Sequence, residues 1–99
     1  MDLEKLKAAG FVETTYPGQT GVFLTKRMPI QSMPYAREHI VVDELVDVTG
    51  TAVIEVVPDP LFPGGGVQLV VDQCDYVQEA VAVSSEAGLA LLRDAGVEC

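Results

Sequence analysis

A run of mainly apolar and β-branched residues with one acid, Thr-Ala-Val-Ile-Glu-Val-Val, occupies positions 51–57 of this 99-residue chain. Successive residues of a strand point to opposite faces of a sheet, so apolar side chains at nearly every position require cover on both faces. We therefore expect residues 51–57 to form a central strand, entered through a tight turn at Thr49-Gly50.

The chain before this run predicts a helix followed by a β-hairpin. A helix is expected over residues 3–9, and Gly10 can adopt the left-handed backbone conformation that commonly ends a helix. Residues 11–16 and 22–27 are rich in Val, Thr, Phe and Tyr, which favour strands. The insert between them, Pro-Gly-Gln-Thr-Gly at 17–21, has the composition and length of a hairpin turn.

Two segments with different sequence patterns lie between this hairpin and the central strand. Residues 28–35 hold two prolines, which exclude a regular central strand and a helix interior, so a connector or an edge is predicted. From His39 to Val48 apolar and acidic residues largely alternate, which is typical of a strand with one face in water. We expect this strand to form a hairpin-like pair with residues 51–57.

The second half of the chain predicts a loop, another strand pair and a helix. Residues 58–66 contain three prolines and three glycines, which favour a loop. Residues 67–72 and 76–83 are predicted strands, and Ser84 or Ser85 begins a final helix. The order indicates a single α+β domain over residues 1–99: a mainly antiparallel sheet of about five to six strands with a short N-terminal helix and a C-terminal helix packed on it.

Charge is distributed unevenly along the chain. Residues 1–37 carry five basic and three acidic residues, whereas residues 38–99 carry twelve acidic residues and one basic residue. The first part therefore has a net charge of +2 and the second of −11, within a total of −9. A field of this sign repels nucleic acids and anionic membranes and favours cationic partners, so no direct nucleic-acid binding is predicted.

The residue types that usually act in catalysis lack the partner residues and flanking motifs that such sites require. His39 is the only histidine, and no thiol-enzyme signature flanks Cys74, whose acidic neighbourhood disfavours the reactive thiolate. The spacing of His39, Asp72, Cys74 and Asp75 matches neither zinc nor calcium sites. No catalytic, cofactor or metal site is therefore predicted, and we expect a protein that is not an enzyme.

The predicted location is the cytoplasm. No stretch of about 18 uncharged apolar residues is present, and the start of the chain lacks the basic and apolar regions of a secretory signal. Cys74 and Cys99 are interpreted as free thiols, because two cysteines are too few for a secreted disulfide scaffold.

Binding of a protein partner is the predicted function. If neighbouring strands pair, the carboxylates of the 38–79 region, Glu55 among them, would project together from one side of the sheet and favour a basic protein surface. The predicted partner-binding residues are the acids Glu38, Asp43, Glu44, Asp47, Asp72, Asp75 and Glu79, with Met33 and Tyr35 of the connector. Within the connector, Met28 and Ile30 are expected to add apolar contacts.

In size and acidity the chain resembles phage and mobile-element proteins that inhibit host defence, including anti-CRISPR and anti-restriction proteins that mimic DNA. No motif ties it to one of these families. The resemblance implies an inhibitor that occupies a basic nucleic-acid-binding surface of a host protein. Two alternatives stay open: the acids only keep a Val-rich sheet soluble, or the chain self-associates through a sheet edge or the connector, as a homodimer or larger assembly.

Overall fold

The computed structural model describes residues 3–39, 50–59, 61–71, 76–77 and 80–97. Three α-helices and six strands lie in this part of the chain, with one 3-10 turn between β2 and α2. In chain order they are α1 (Leu3–Ala8), β1 (Val12–Thr14), β2 (Phe23–Pro29), the 3-10 turn (Ile30–Ser32), α2 (Pro34–His39), β3 (Thr51–Val57), β4 (Gly66–Val71), β5 (Tyr76–Val77), β6 (Val81–Ala82) and α3 (Glu86–Asp94).

The strands form one antiparallel sheet with the order β1-β2-β3-β4-β5, in which β6 also pairs with β4. The predicted α+β fold, with its short N-terminal helix and C-terminal helix, is confirmed. β3 is central as expected, and the strand predicted from His39 to Val48 falls on residues that, after His39, lie outside the described part of the chain. β2 pairs along one edge of β3 and β4 along the other, so both of its edges are occupied.

The register divides the sheet into two faces. Residues directly opposite each other on paired strands share a face, so Leu24, Val56 and Val67 lie on one side and Thr25, Glu55 and Gln68 on the other. The first side packs into the hydrophobic core with residues of α1, α2 and α3, and we call it the covered face. The second side, which the core cluster does not include, is called the open face.

The segment after β2 differs from its prediction. Proline ends β2 at Pro29, where the missing N–H is tolerated, and Pro34 occupies the first position of α2, where proline is also favourable. Where a connector or an edge was predicted, the two prolines thus bound a 3-10 turn, and the second begins a helix. His39 is the last residue of α2 and not the first residue of a strand.

The C-terminal helix follows its prediction closely. The Ser85 hydroxyl accepts a hydrogen bond from the Gly88 N–H at 3.0 Å, and Gly96 adopts a φ of 88° just after the helix. The predicted strand at 76–83 is present as two short strands, β5 and β6, whose registers on β4 differ by one residue. Among the described residues, no helix is long and apolar enough to cross a membrane.

Asp94, in the last turn of α3, holds α2 against that helix. Its carboxylate accepts hydrogen bonds from the backbone N–H groups of Tyr35 at 3.2 Å and Ala36 at 2.9 Å. These N–H groups lie in the first turn of α2 and have no acceptor within the helix. An acid at a helix C-terminus opposes that helix's dipole, so the favourable contribution of Asp94 comes from capping α2.

Replacing Asp94 with Ala should reduce the free energy of unfolding by about 1–2 kcal/mol, because the two N–H groups of α2 lose their acceptor. Urea unfolding followed by circular dichroism measures this change. Asp59→Ala, which removes an exposed carboxylate of the same charge, should alter stability by less than about 0.5 kcal/mol. Equal effects of the two substitutions would contradict a capping role for Asp94.

Gly88→Ala should destabilise the protein by about 2 kcal/mol or more, because a Cβ at this position would lie 2.2 Å from the backbone oxygen of Ala82. Helix propensity alone predicts the opposite sign, since Ala is favoured over Gly inside a helix by about 1 kcal/mol. The direction in which the melting temperature of the variant changes therefore shows which of the two effects is larger. A stabilised variant would show that α3 does not approach β6 this closely.

Candidate functional site

A concave groove lies on the open face of the sheet. It has a volume of about 780 Å³, within the range of ligand and peptide side-chain sites. Two loops bound it at one end of the sheet: the turn between β1 and β2 and the loop between β3 and β4. A Cβ on Gly21 would lie 2.9 Å from the ring of Pro58, so the two loops are in contact.

Aromatic and aliphatic side chains form the walls of the groove. The rings of Tyr16 and Phe23 meet edge to face, with centroids 5.0 Å apart and an interplanar angle of 81°. The ring of Phe62 lies over Gly66 on β4, where a Cβ would come within 2.7 Å of it. Leu61, which is 42% exposed, contributes to the lining from the loop between β3 and β4.

Glu55 is the one charged side chain that lines the groove within the described residues. It lies in the middle of β3 and is 8% exposed, an unusual degree of burial for a carboxylate. Oε1 accepts a hydrogen bond from Nε2 of Gln68 at 2.6 Å, and Oε2 accepts one from the Tyr16 hydroxyl. These bonds compensate the lost hydration of the carboxylate, but both donors are neutral, so its negative charge stays in the groove.

The hydrogen bond to Glu55 raises the pKa of Tyr16 to about 12, with burial of the phenol and the charge of Glu55 adding to the effect. The phenol is stabilised in its protonated form, because ionisation would break the bond and place two negative charges together. Tyr16 therefore keeps its proton and stays a hydrogen-bond donor to Glu55 at neutral pH.

The structure places the sequence-predicted residues in several environments. Glu38 is exposed on α2, which packs on the covered face, so it lies on the other side of the sheet from Glu55. Tyr35 is half-buried, while Met33 and Ile30 are fully buried in the core. This burial removes Met33 and Ile30 from any surface, and Met28 is partly buried against the same core. Six predicted acids lie outside the described residues: Asp43, Glu44, Asp47, Asp72, Asp75 and Glu79.

The groove brings together residues that sequence reasoning did not connect. Glu55 was expected to project with the other acids, but it is buried because Tyr16 and Gln68 cover and bond it. Neither Tyr16 nor Gln68 was singled out. One signal in the sequence does point to this site: an acid inside a run predicted to be covered on both faces has to find donors.

Among the described residues, no group of three His, Cys, Asp or Glu side chains is arranged to hold a metal ion. No protein-family model, curated protein or solved structure matches the chain. The chemistry of the groove is therefore the basis for assigning a function.

Glu55→Gln should lower the pKa of Tyr16 from about 12 toward its ordinary value of 10, because the substitution removes the carboxylate charge and its strong acceptor. Phenolate absorbance during a pH titration measures the shift, and Tyr16→Phe identifies which of the three tyrosines is responsible. A Tyr16 pKa near 10 in the unsubstituted protein would contradict the hydrogen bond.

The same shift predicts the pH dependence of stability. The folded protein retains the Tyr16 proton at pH values where the unfolded chain has lost it. The stabilising contribution is therefore complete below pH 10 and is lost as the pH rises through about 12.

Proposed function

We propose that this chain is a non-catalytic binding protein that docks on a basic surface of a protein partner through the open face of its sheet. The supporting observation is the groove around Glu55, in which a carboxylate lies among aromatic and aliphatic walls and no Lys or Arg belongs to the described lining. Interface centres commonly combine buried aromatic contacts with a few specific polar groups. The net charge of −9 would speed encounter with a basic partner.

The titratable groups of the groove support binding over catalysis. Tyr16 and Glu55 are hydrogen-bonded to each other, and this bond moves the pKa of Tyr16 away from neutrality. General acid-base catalysis instead favours groups whose pKa lies near the working pH. A phenol that keeps its proton at neutral pH and is hydrogen-bonded to a carboxylate is suited to recognising a ligand.

The partner we propose is a protein that itself binds nucleic acid, such as a host defence protein inhibited by a phage-encoded chain. The acidity of residues 38–99 supports this class, because surfaces that bind phosphate backbones are rich in Lys and Arg. The open face also carries Arg27, which donates to the Thr51 hydroxyl at the opposite end of the paired strands from the groove. We therefore place the contact at the groove end.

Self-association is a second candidate, favoured by the edge strand β1. In the described sheet β1 pairs with β2 alone, and Val12 on this strand is 60% exposed. An unpaired edge can be completed by a symmetric copy. Ile30 and Met33 of the connector are buried, so self-association through the connector would use its exposed residues instead.

Introducing lysines on the open face should weaken partner binding. Val12→Lys with Leu61→Lys adds two positive charges at exposed positions, and like charges across an interface should reduce capture at least about tenfold. Capture from a lysate of cells that contain the chain, with quantitative mass spectrometry, measures this loss. Ala8→Lys with Gln31→Lys adds the same charge at exposed positions of α1 and the 3-10 turn and should leave capture unchanged.

Equal capture by the two double variants would overturn the proposed docking face. Light scattering of each variant at low and high salt distinguishes self-association from binding of a different protein. Assembly through the β1 edge would give a molar mass above that of the monomer, would persist in salt, and would be lost in the variant that carries Val12→Lys.

A further inference from the structure

The charge of Glu55 is the feature of the groove that points to a ligand. Each carboxylate oxygen accepts one hydrogen bond, from Gln68 or from Tyr16, and a carboxylate offers about four acceptor sites in all. Acceptor capacity therefore remains on both oxygens. Since the described lining contains no Lys or Arg, a cation that enters the groove would meet the unneutralised charge of a largely buried carboxylate.

The apolar walls of the groove indicate which chemical groups the ligand would carry besides a cation. Tyr16, Phe23 and Phe62 offer aromatic surface, and Val57 and Val70 offer aliphatic surface. An aliphatic stem would bury apolar area against these side chains, while a cationic head could contact an aromatic ring as well as the carboxylate. Lysine and arginine side chains both combine such a stem with such a head.

Arginine fits this arrangement better than lysine. A guanidinium is planar, stacks on aromatic rings, donates in parallel to both oxygens of a carboxylate and is less strongly hydrated than an ammonium. The two oxygens of Glu55 are each held by one neutral donor, which fixes the orientation of the carboxylate before a ligand arrives. A fixed carboxylate beside aromatic walls favours the rigid, planar cation.

We propose that the groove binds an arginine side chain of the protein partner, with its guanidinium on the Glu55 carboxylate and its stem along the aromatic and aliphatic walls. The identity of the ligand as part of a protein rests on the proposed function. The recognition of a guanidinium rests on the groove alone. Glu55, Tyr16 and Gln68 would form the polar end of this site.

Nuclear magnetic resonance titration with Nα-acetyl-arginine amide tests the site without the partner. The probe should shift the amide signals of Glu55, Val57 and Phe62 and the side-chain amide of Gln68. Nα-acetyl-citrulline amide has nearly the same shape without the charge and should bind at least about fivefold more weakly, because charge-assisted hydrogen bonds are about twice as strong as neutral ones. Equal shifts with both compounds would overturn the proposal.

Glu55→Gln should weaken binding of the arginine probe at least about fivefold, because it removes the charge and keeps the shape of the side chain. Glu38→Gln makes the same change in net charge on the opposite side of the sheet and should leave binding unchanged. Equal loss in both variants would show general electrostatic attraction and contradict a specific site. Tighter binding of Nα-acetyl-lysine amide than of the arginine probe would overturn the preference for guanidinium.

A second variant keeps the test decisive if Glu55→Gln does not fold. Leu61→Arg, at an exposed position of the lining, supplies a guanidinium from the chain itself and should compete with the probe while Glu55 stays intact. Leu61→Gln, a polar substitution without charge, is its control. Undiminished probe binding by Leu61→Arg would contradict the proposed site.

The two proposals fail separately. Loss of partner capture on adding lysines, combined with no response to the arginine probe, would uphold docking on the open face and reject the arginine site. Specific probe binding with capture unaffected by Glu55→Gln would reject the partner's arginine as the ligand. Arginine binding that requires Glu55, together with loss of capture in Glu55→Gln, would support both.

Discussion

β3 shares backbone hydrogen bonds with β2 along one edge and with β4 along the other. The positions of most other described elements follow from these two pairings. Because both edges are occupied, the alternation of its side chains defines the two faces of the whole sheet. Ala52, Ile54 and Val56 point into the core beneath the helices. Glu55 points to the opposite face, where Thr25 and Gln68 are its cross-strand neighbours.

Long-range polar contacts then fix the helices on the covered face and the loops on the open face. Lys26 donates from β2 to the carbonyl of Ala95 at 2.7 Å, so a cation meets the negative end of the α3 dipole. Asp94 caps α2 from the same helix. On the other face, the missing side chain of Gly66 leaves room for Phe62, and Tyr16 reaches Glu55 across the sheet. The same sheet thus separates a packed core from a groove that keeps one negative charge.

The groove also changes how the acidity of the chain is interpreted. Sequence reasoning treats the acids of the 38–79 region as one surface, whereas Glu38 and Glu55 lie on opposite sides of the sheet and Glu55 is buried. In the proposed site, the buried carboxylate with neutral donors would act as a specific recognition element, in contrast to an exposed charge that salt screens. The proposed recognition of a basic partner therefore depends on one position more than on net charge.

The sequence by itself determined the local structure: the helices ended by Gly10 and Gly96, the hairpin at its predicted turn, the Ser85 cap and the central position of residues 51–57. These features depend on backbone preferences and hydrophobic periodicity over a few residues, which a sequence expresses directly. Only the tertiary structure decided the neighbours of β3, the helical form of residues 34–39 and the joining of Tyr16, Glu55 and Gln68. These depend on contacts between residues distant in the chain, because pairing energy and burial arise when the whole sheet assembles, and no local pattern specifies which strands will meet.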